Sequence, residues 1–390
     1  MRLCPVKDVE DGMVLGKSIY QENNQLLLGA GFRINSYIQH QLLKKGYSHV
    51  YIMEEGTDNV IPEDIISDEI RLQANVKLTD KMNKIEEVFK FKDMTRSKAI
   101  ELFEKGHLRY INITYGIRKL VEEILNDISE VGANFLNTTM IKSKDTYFVD
   151  HAINTTVLAI IIGKRYKFLK SELKNLALGT FLHDIGKVIV EQIKKSDKIG
   201  GNDDLYKEHP TFGYLLLRND NHISPMEIQI VNQHHENQDG TGFPIGLKGQ
   251  NLPPIKIDTR ETKGYIYRLA EICCVADAYD KLVLNPMGEK QLGPQEVIKK
   301  LLLGAGTIYN RDIVQTLSQV IAVFPVGSYV KIINIVDPAL IGSYGVVAKI
   351  NKEDLSKPVI IITTNKYKKK IKPIMLDTSK LKLIDLELVL

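Results

Sequence analysis

His183-Asp184-Ile185-Gly186-Lys187 is followed by His209-Pro210 and then by His234-His235-Glu236-Asn237-Gln238-Asp239-Gly240-Thr241-Gly242-Phe243-Pro244. These segments gather four of the chain's nine histidines between positions 183 and 235. Two of them are adjacent and a third precedes an aspartate. Imidazoles and carboxylates crowded into a core need a partner for every polar atom, and a multinuclear metal site supplies those partners economically. Nitrogen and oxygen donors suit borderline first-row metals such as iron, manganese or zinc, and the lack of cysteine among the candidates argues against a closed structural zinc site. An aspartate has two oxygens and can bridge two ions. Consecutive residues on a helix point about 100° apart, so the His-Asp and His-His pairs are expected to lie on helices and serve neighbouring ions.

Outward from this stretch, His151 opens an apolar helical segment and Asp277 falls late in another, Tyr265 to Leu282, which has no internal Gly or Pro. A buried carboxylate without a partner is costly, and a metal is one effective partner. Spacing alone leaves open whether His151 and Asp277 join the site. Ser224-Pro225-Met226-Glu227 combines an N-cap serine, a proline at the first helical position and a glutamate at the third, a capping box for the helix that leads to His234 and His235. Lys187, one turn after His183, is expected to share its face and lend positive charge to a bound phosphate. The isolated His40, His49, His107 and His222 read as surface or packing residues.

The remaining composition narrows the function. The chain has 390 residues, 44% hydrophobic and 26% charged, with net charge +4, which predicts a multidomain globular protein. No dense basic clustering marks a partner in a nucleic-acid polymer; Tyr367-Lys368-Lys369-Lys370 reads as a solvated strand or turn. Cys4, Cys273 and Cys274 form no disulfide framework, and the last two fall in an apolar segment that predicts buried thiols. The start lacks the apolar core of a signal peptide, and no stretch has the roughly 18–20 apolar residues of a membrane span. A cytoplasmic location with no membrane contact is expected.

The fold class expected is mainly α, with a small module at each end. Residues 1–70 read as an N-terminal α+β module, with Ile38, Leu42 and Leu43 on a helix. Residues 71–140 read as a helical connector, Leu120, Val121, Ile124 and Leu125 being at helical spacing. Residues 141–323 form the predominantly helical domain that holds the histidines. In 324–390, short apolar runs at 329–333, 345–350 and 359–362, separated by turn residues, predict a β-rich, barrel-like module.

In order, His-Asp-x-Gly-Lys (His183, Asp184, Gly186, Lys187), His-Pro-x-x-Gly (His209, Pro210, Gly213), His-His-Glu, Asp-Gly-x-Gly-Phe-Pro and Ala-Asp-x-x-Asp (Ala276, Asp277, Asp280) resemble the signature of the HD-GYP phosphodiesterases. These are members of the wider HD metal-dependent phosphohydrolases, and they cleave the bacterial messenger cyclic di-GMP. The likeness covers roughly His151 to Val323 and implies a helical HD-type phosphohydrolase core. It also implies metal ligation by His151, His183, Asp184, His209, His234, His235 and Asp277, with Asp184 bridging two divalent ions, iron or manganese. Lys187 would face the scissile phosphate, and Gly242, Phe243 and Pro244 would shape the nucleotide pocket. The implied chemistry is two-metal hydrolysis, with ions roughly 3.5–4 Å apart activating water for in-line attack. The products would be linear pGpG, from opening of the ring, and/or GMP, from a second cleavage.

Three departures stand beside the likeness. Phe243 replaces the usual tyrosine and keeps the ring. Tyr147 stands where some members have a glutamate associated with a third metal, which favours a binuclear site. The Asp-Arg-Pro-Tyr-Arg-like stretch expected after Asp280 is replaced by Leu282 to Lys290, which contains no arginine. An apparent insertion between Gly249 and Tyr265 carries Lys256, Arg260 and Lys263, either replacements for that charge or solvated loop residues. The absent arginines also fit a rival reading, a catalytically weak cyclic-dinucleotide sensor that signals through its terminal modules, and an HD hydrolase of another nucleotide is a third. Those modules are the expected contacts for a signalling protein partner or a homodimer.

Overall fold

The computed structural model describes residues 1–20, 25–62, 65–90, 94–108, 111–130, 147–196, 203–255, 263–284 and 292–389. The first module pairs β1 (Arg2–Pro5) with a later strand across β2 (Ile19–Tyr20), β3 (Leu26–Leu28) and α1 (Ser36–Lys44); that partner is β4 (His49–Ile52), and β2 pairs with β3. Leu42 of α1 is buried in its small core, while Leu43 turns to solvent.

Eleven helices follow among the described residues: α2 (Asp68–Phe89), α3 (Arg96–Glu104), α4 (Ile117–Glu130), α5 (Tyr147–Arg165), α6 (Lys170–Phe181), α7 (Lys187–Ser196), α8 (His209–Leu217), α9 (Pro225–Gln233), α10 (Arg268–Leu284), α11 (Pro294–Leu303) and α12 (Arg311–Ser318). One hydrophobic core runs through them from Ile66 to Ile321 and includes Leu120, Val121, Ile124 and Leu125 of α4. Every residue of α5 from His151 to Gly163 is buried, the polar His151, Asn154, Thr155 and Thr156 included. It lies against α6 and α10 and so sets the spacing of the elements that carry the histidines and aspartates.

Two local devices fix those elements. Ser224 caps α9 in the expected reciprocal arrangement, its side chain accepting from Glu227 N and its own N–H donating to Glu227 Oε2 at 2.7 Å. The same buried carboxylate takes two bonds from the Arg118 guanidinium of α4, at 3.1 and 3.2 Å. Glycine does the rest where α7 meets α8. A Cβ on Gly186 would lie 2.0 Å from His209 O and 2.5 Å from Gly213 N, and one on Gly213 would lie 2.7 Å from Val231 Cγ1. The backbone after Asp184 therefore touches the backbone of His209, and the two histidine-bearing segments meet at one point.

After α12 the chain forms β5 (Tyr329–Ile335), β6 (Tyr344–Lys349), β7 (Val359–Thr364), β8 (Lys370–Asp377) and β9 (Ile384–Val389). They make one antiparallel sheet in the order β8-β7-β6-β5-β9. The expected barrel is not closed: β8 and β9 are the two edges, and no ladder joins them among the described residues. Edge chemistry explains why. β8 carries Lys370, Lys372 and Pro373 on a largely exposed strand, and lysine and proline are suited to an edge that takes no further partner. The sheet packs against the first module, where Leu3 N–H donates to Gly327 O at 2.7 Å and Thr363 Oγ1 donates to Glu54 Oε1 at 2.9 Å. Among the described residues no helix is long and apolar enough to cross a membrane.

Gly186→Ala is expected to lower the free energy of unfolding by about 1–3 kcal/mol, the usual range for overpacking. Thermal denaturation followed by circular dichroism measures it, and an unchanged midpoint would contradict the close approach.

Candidate metal centre

All seven side chains singled out in the sequence as ligands converge. Two groups form: His151, His183, Asp184 and Asp277 in one, and Asp184, His209, His234 and His235 in the other, the donor atoms of each lying within 4.8 Å of one another. Asp184 belongs to both. Its Oδ2 is 3.5 Å from His151 Nε2 and 3.4 Å from His183 Nε2, whereas its Oδ1 is 3.3 Å from His209 Nε2 and 3.7 Å from His234 Nε2. Asp277 Oδ1 closes the first group at 2.9 Å from His151 Nε2 and 3.4 Å from His183 Nε2.

The His-Asp and His-His pairs do not sit within helices, contrary to expectation. His183 and Asp184 occupy the turn between α6 and α7, and His234 and His235 follow the end of α9. Helix ends leave carbonyls without intrahelical partners, and the histidines use them. His183 Nδ1 bonds Thr180 O at 2.6 Å, His234 Nδ1 bonds Val231 O at 2.8 Å, and His209 Nδ1 bonds Tyr206 O at 2.7 Å at the end of a 3₁₀ turn. Each bond reaches back three residues, assigns the proton to Nδ1, and turns the Nε2 lone pair toward Asp184. His151 Nδ1 is held differently, bonding Asp280 Oδ2 at 2.7 Å, with Asp280 Oδ1 held by Asn154 Nδ2 at 3.2 Å.

The donors fit a metal on their hydrogen bonding. His151 Nε2, His183 Nε2, His235 Nε2, Asp184 Oδ1 and Asp277 Oδ1 are buried without hydrogen-bond partners, and such groups in a core require an ion or another partner. His209 Nε2 and His234 Nε2 face each other at 3.1 Å while both Nδ1 atoms are committed to carbonyls, so two lone pairs oppose each other unless a cation lies between. Burial pushes His209 below its ordinary pKa, His234 to about 3 and His235 well down, the last two helped by neighbouring imidazoles. These three stay neutral. At His151 burial also pushes downward, but Asp184, Asp277 and Asp280 outweigh it and raise the imidazole to about 10. Burial works against ionisation of Asp184 and Asp277 too, yet His183, Lys187 and Lys281 around the first and Lys281, His151 and His183 around the second hold both well below the carboxylate range.

Around this buried centre Lys187 bonds Asp184 Oδ2, not a partner on the face of His183, and its ammonium lies 5.3 Å from the Tyr206 ring centroid. Phe243 stacks on the His235 ring at 4.7 Å and 21°. Gly242 permits this, since a Cβ there would lie 2.3 Å from Asn237 N, and Glu236 accepts from the N–H groups of Ile245, Gly246 and Leu247 to hold the chain beyond Pro244. Tyr147 stacks parallel on His151, with centroids 5.7 Å apart. Lys263 is exposed; Lys256, Arg260 and the stretch from Asn285 to Lys290 lie outside the described residues.

Residues 136–256 match the model of the HD domain family. This chain carries an HD domain. The matched segment holds His151 through His235 and stops before Asp277, which α10 brings back to it. A cyclic di-GMP phosphodiesterase of Pseudomonas aeruginosa is 23% identical over 243 residues, covering 61% of this chain and 55% of that protein, so the match spans about half the relative's length. A cyclic di-GMP phosphodiesterase of Thermotoga maritima is 22% identical, covering 73% and 69%. An HDG"Y"P protein from Bdellovibrio bacteriovorus, of known structure, covers 81% of this chain and 97% of its own at 18% identity, with a TM-score of 0.42.

Sequence reasoning gave no role in the HD domain to Asp280, Asn154, Tyr206 or Lys281. Asp280 had a readable signal, since it lies three residues after Asp277 on the same helix and therefore on the same side. Asn154 shares a face with His151 by the same rule. Lys281, four residues after Asp277, carried the same signal, and Tyr206 carried none.

Asp280→Asn is expected to weaken metal binding by about 10–100-fold, as loss of a carboxylate behind a histidine ligand commonly does; chelator competition would read it, and native affinity in the variant would contradict the orienting role. Asp184, Asp277 and Asp280 outweigh burial and favour a proton on the His151 imidazole, and an ion bound there must displace it. Metal affinity is therefore expected to rise from pH 6.5 to 8.5, and a pH-independent affinity over that window would be the contrary result.

Proposed function

We propose that this chain is a metal-dependent phosphodiesterase that hydrolyses cyclic di-GMP to linear pGpG and/or GMP, in the cytoplasm, as part of bacterial second-messenger signalling. The observation that carries the reading is the single Asp184 carboxylate with one oxygen in each of two buried donor groups. The relatives named for this activity support the substrate class. In this reading His151, His183, Asp184 and Asp277 hold one divalent ion and Asp184, His209, His234 and His235 hold the other. The set of five imidazoles and two carboxylates with no thiolate suits iron or manganese. Bound there, such ions supply Lewis-acid charge to the phosphoryl oxygens and lower the pKa of water toward neutrality.

The chain's own residues do the rest. The Nδ1 bonds of His183, His209 and His234 and the Asp280 contact of His151 hold the donors in place before substrate arrives, so no reorganisation is required at reaction. Lys187, 20% exposed beside nearly inaccessible Asp184, stands at the rim and meets a phosphate oxygen on which negative charge accumulates. Phe243, fixed by its stack on His235, and the backbone at Gly242 and Pro244 form the wall for the nucleotide. We assign the same four segments as the sequence reading, with 141–323 as the catalytic domain and 1–70, 71–140 and 324–390 as a regulatory surround.

Purified protein loaded with iron or manganese should convert cyclic di-GMP to pGpG or GMP by chromatography, with cyclic GMP-AMP and mononucleotides as comparison substrates. Asp184→Ala is expected to lose both metal and activity, and Lys187→Ala to keep its metal and lose about a hundredfold in rate. No turnover despite measured metal occupancy would refute the reading, and tight binding without turnover would favour the sensor.

A further inference from the structure

The sequence lacks the arginines expected beyond Asp280, so a phosphate bound at the centre needs cationic contacts from elsewhere. α10 supplies one. Lys281 lies one helical turn beyond Asp277, on the same face, and its ammonium donates to Asp277 Oδ2 at 2.7 Å. The arrangement repeats that of Lys187 with Asp184: each carboxylate of the centre carries a lysine on Oδ2 and keeps Oδ1 buried without a hydrogen-bond partner. Both lysines reach solvent from a closed site. The Lys281 side chain is 25% exposed and that of Lys187 20%, against 4% for Asp277 and 5% for Asp184.

Asp277 can give Oδ1 to an ion and keep Lys281 on Oδ2, because Oδ1 is the oxygen that faces His151 and His183. An ammonium has three donors. Among the described residues Asp277 is its hydrogen-bonding acceptor, so two donors remain for a ligand. Once an ion shares the Asp277 charge, Lys281 is a fixed, half-buried cation at the mouth of a cationic centre, and the group that completes it is an oxyanion.

We propose that Lys281 is a substrate-binding residue that donates to a non-bridging oxygen of the bound phosphodiester, replacing a cationic contact that the family's arginine stretch would otherwise provide. With Lys187 on Asp184 Oδ2 it places two ammonium groups beside the His151–His183 donor group, where both meet the phosphate. This deepens the phosphodiesterase reading and rests on it only for the identity of the substrate, since any phosphate held at the centre meets the same two lysines.

The test compares manganese-loaded native protein with Lys281→Met, which keeps the side-chain length and removes the charge, and with Lys281→Arg. Metal content is measured first, and then the binding of inorganic phosphate and of a non-hydrolysable phosphorothioate analogue of cyclic di-GMP by calorimetry. Lys281→Met is expected to keep the native metal content and bind both probes about tenfold more weakly or worse, the loss that one charge-assisted hydrogen bond implies, with affinity recovered in Lys281→Arg. Equal affinity at equal metal content overturns the proposal. So does loss of metal in Lys281→Met with native phosphate binding once metal is restored, because Lys281 would then only position Asp277. If native protein binds phosphate but not the cyclic dinucleotide, the substrate reading fails and the phosphate comparison still decides the role of Lys281. If it binds neither, the lysine proposal falls as well.

Discussion

The Asp184 carboxylate lies between two sets of imidazoles, with one oxygen directed at each, in a place that water scarcely reaches. A buried anion of this kind is costly unless it is paired, and the arrangement around it is the consequence. Lys187 and Lys281 bring cationic charge from the rim, and histidines approach from both sides. The turn that carries Asp184 is pressed against the start of α8 through Gly186, without which His209 would stand off from the carboxylate.

Precision comes from the ends of helices. A carbonyl three residues before each of His183, His209 and His234 takes the Nδ1 proton, so one requirement of the backbone and one of the site are met by the same bond. The cost is that the site inherits the geometry of the bundle. α5, buried along its length from His151 to Gly163, and the Arg118–Glu227 tie between α4 and α9 therefore belong to the chemistry as much as to the fold. Helices α2 to α4, upstream of the matched segment, share its core.

Much of this was legible in the residues themselves. A serine capping box announces the start of α9, largely apolar segments announce α5 and α10, and no ordinary core asks for His183-Asp184, His209 and His234-His235 together. Their placement just outside helices was not legible, because a helix end is chosen by packing and by which carbonyls lack partners, and the same dipeptide reads alike on either side of it. Strand β8 was not among the strands named from apolar runs, because Lys370, Lys372 and Pro373 break its pattern, although they suit an edge. β9, with its alternating burial, depends on pairing with β5, a contact from distant sequence. Lys281 shares a helical face with Asp277 by spacing alone, but that this face turns toward Asp184 comes from the packing of α10.

The proposed function requires one shared carboxylate, Asp184, and two separate ions. Crystals of the manganese-loaded protein, with diffraction recorded on the high-energy side of the manganese absorption edge, test that directly. Two anomalous peaks per chain are predicted, one bounded by His151, His183 and Asp277, the other by His209, His234 and His235, with an oxygen of Asp184 directed at each. A single peak, or two peaks that leave Asp184 unligated, would contradict it.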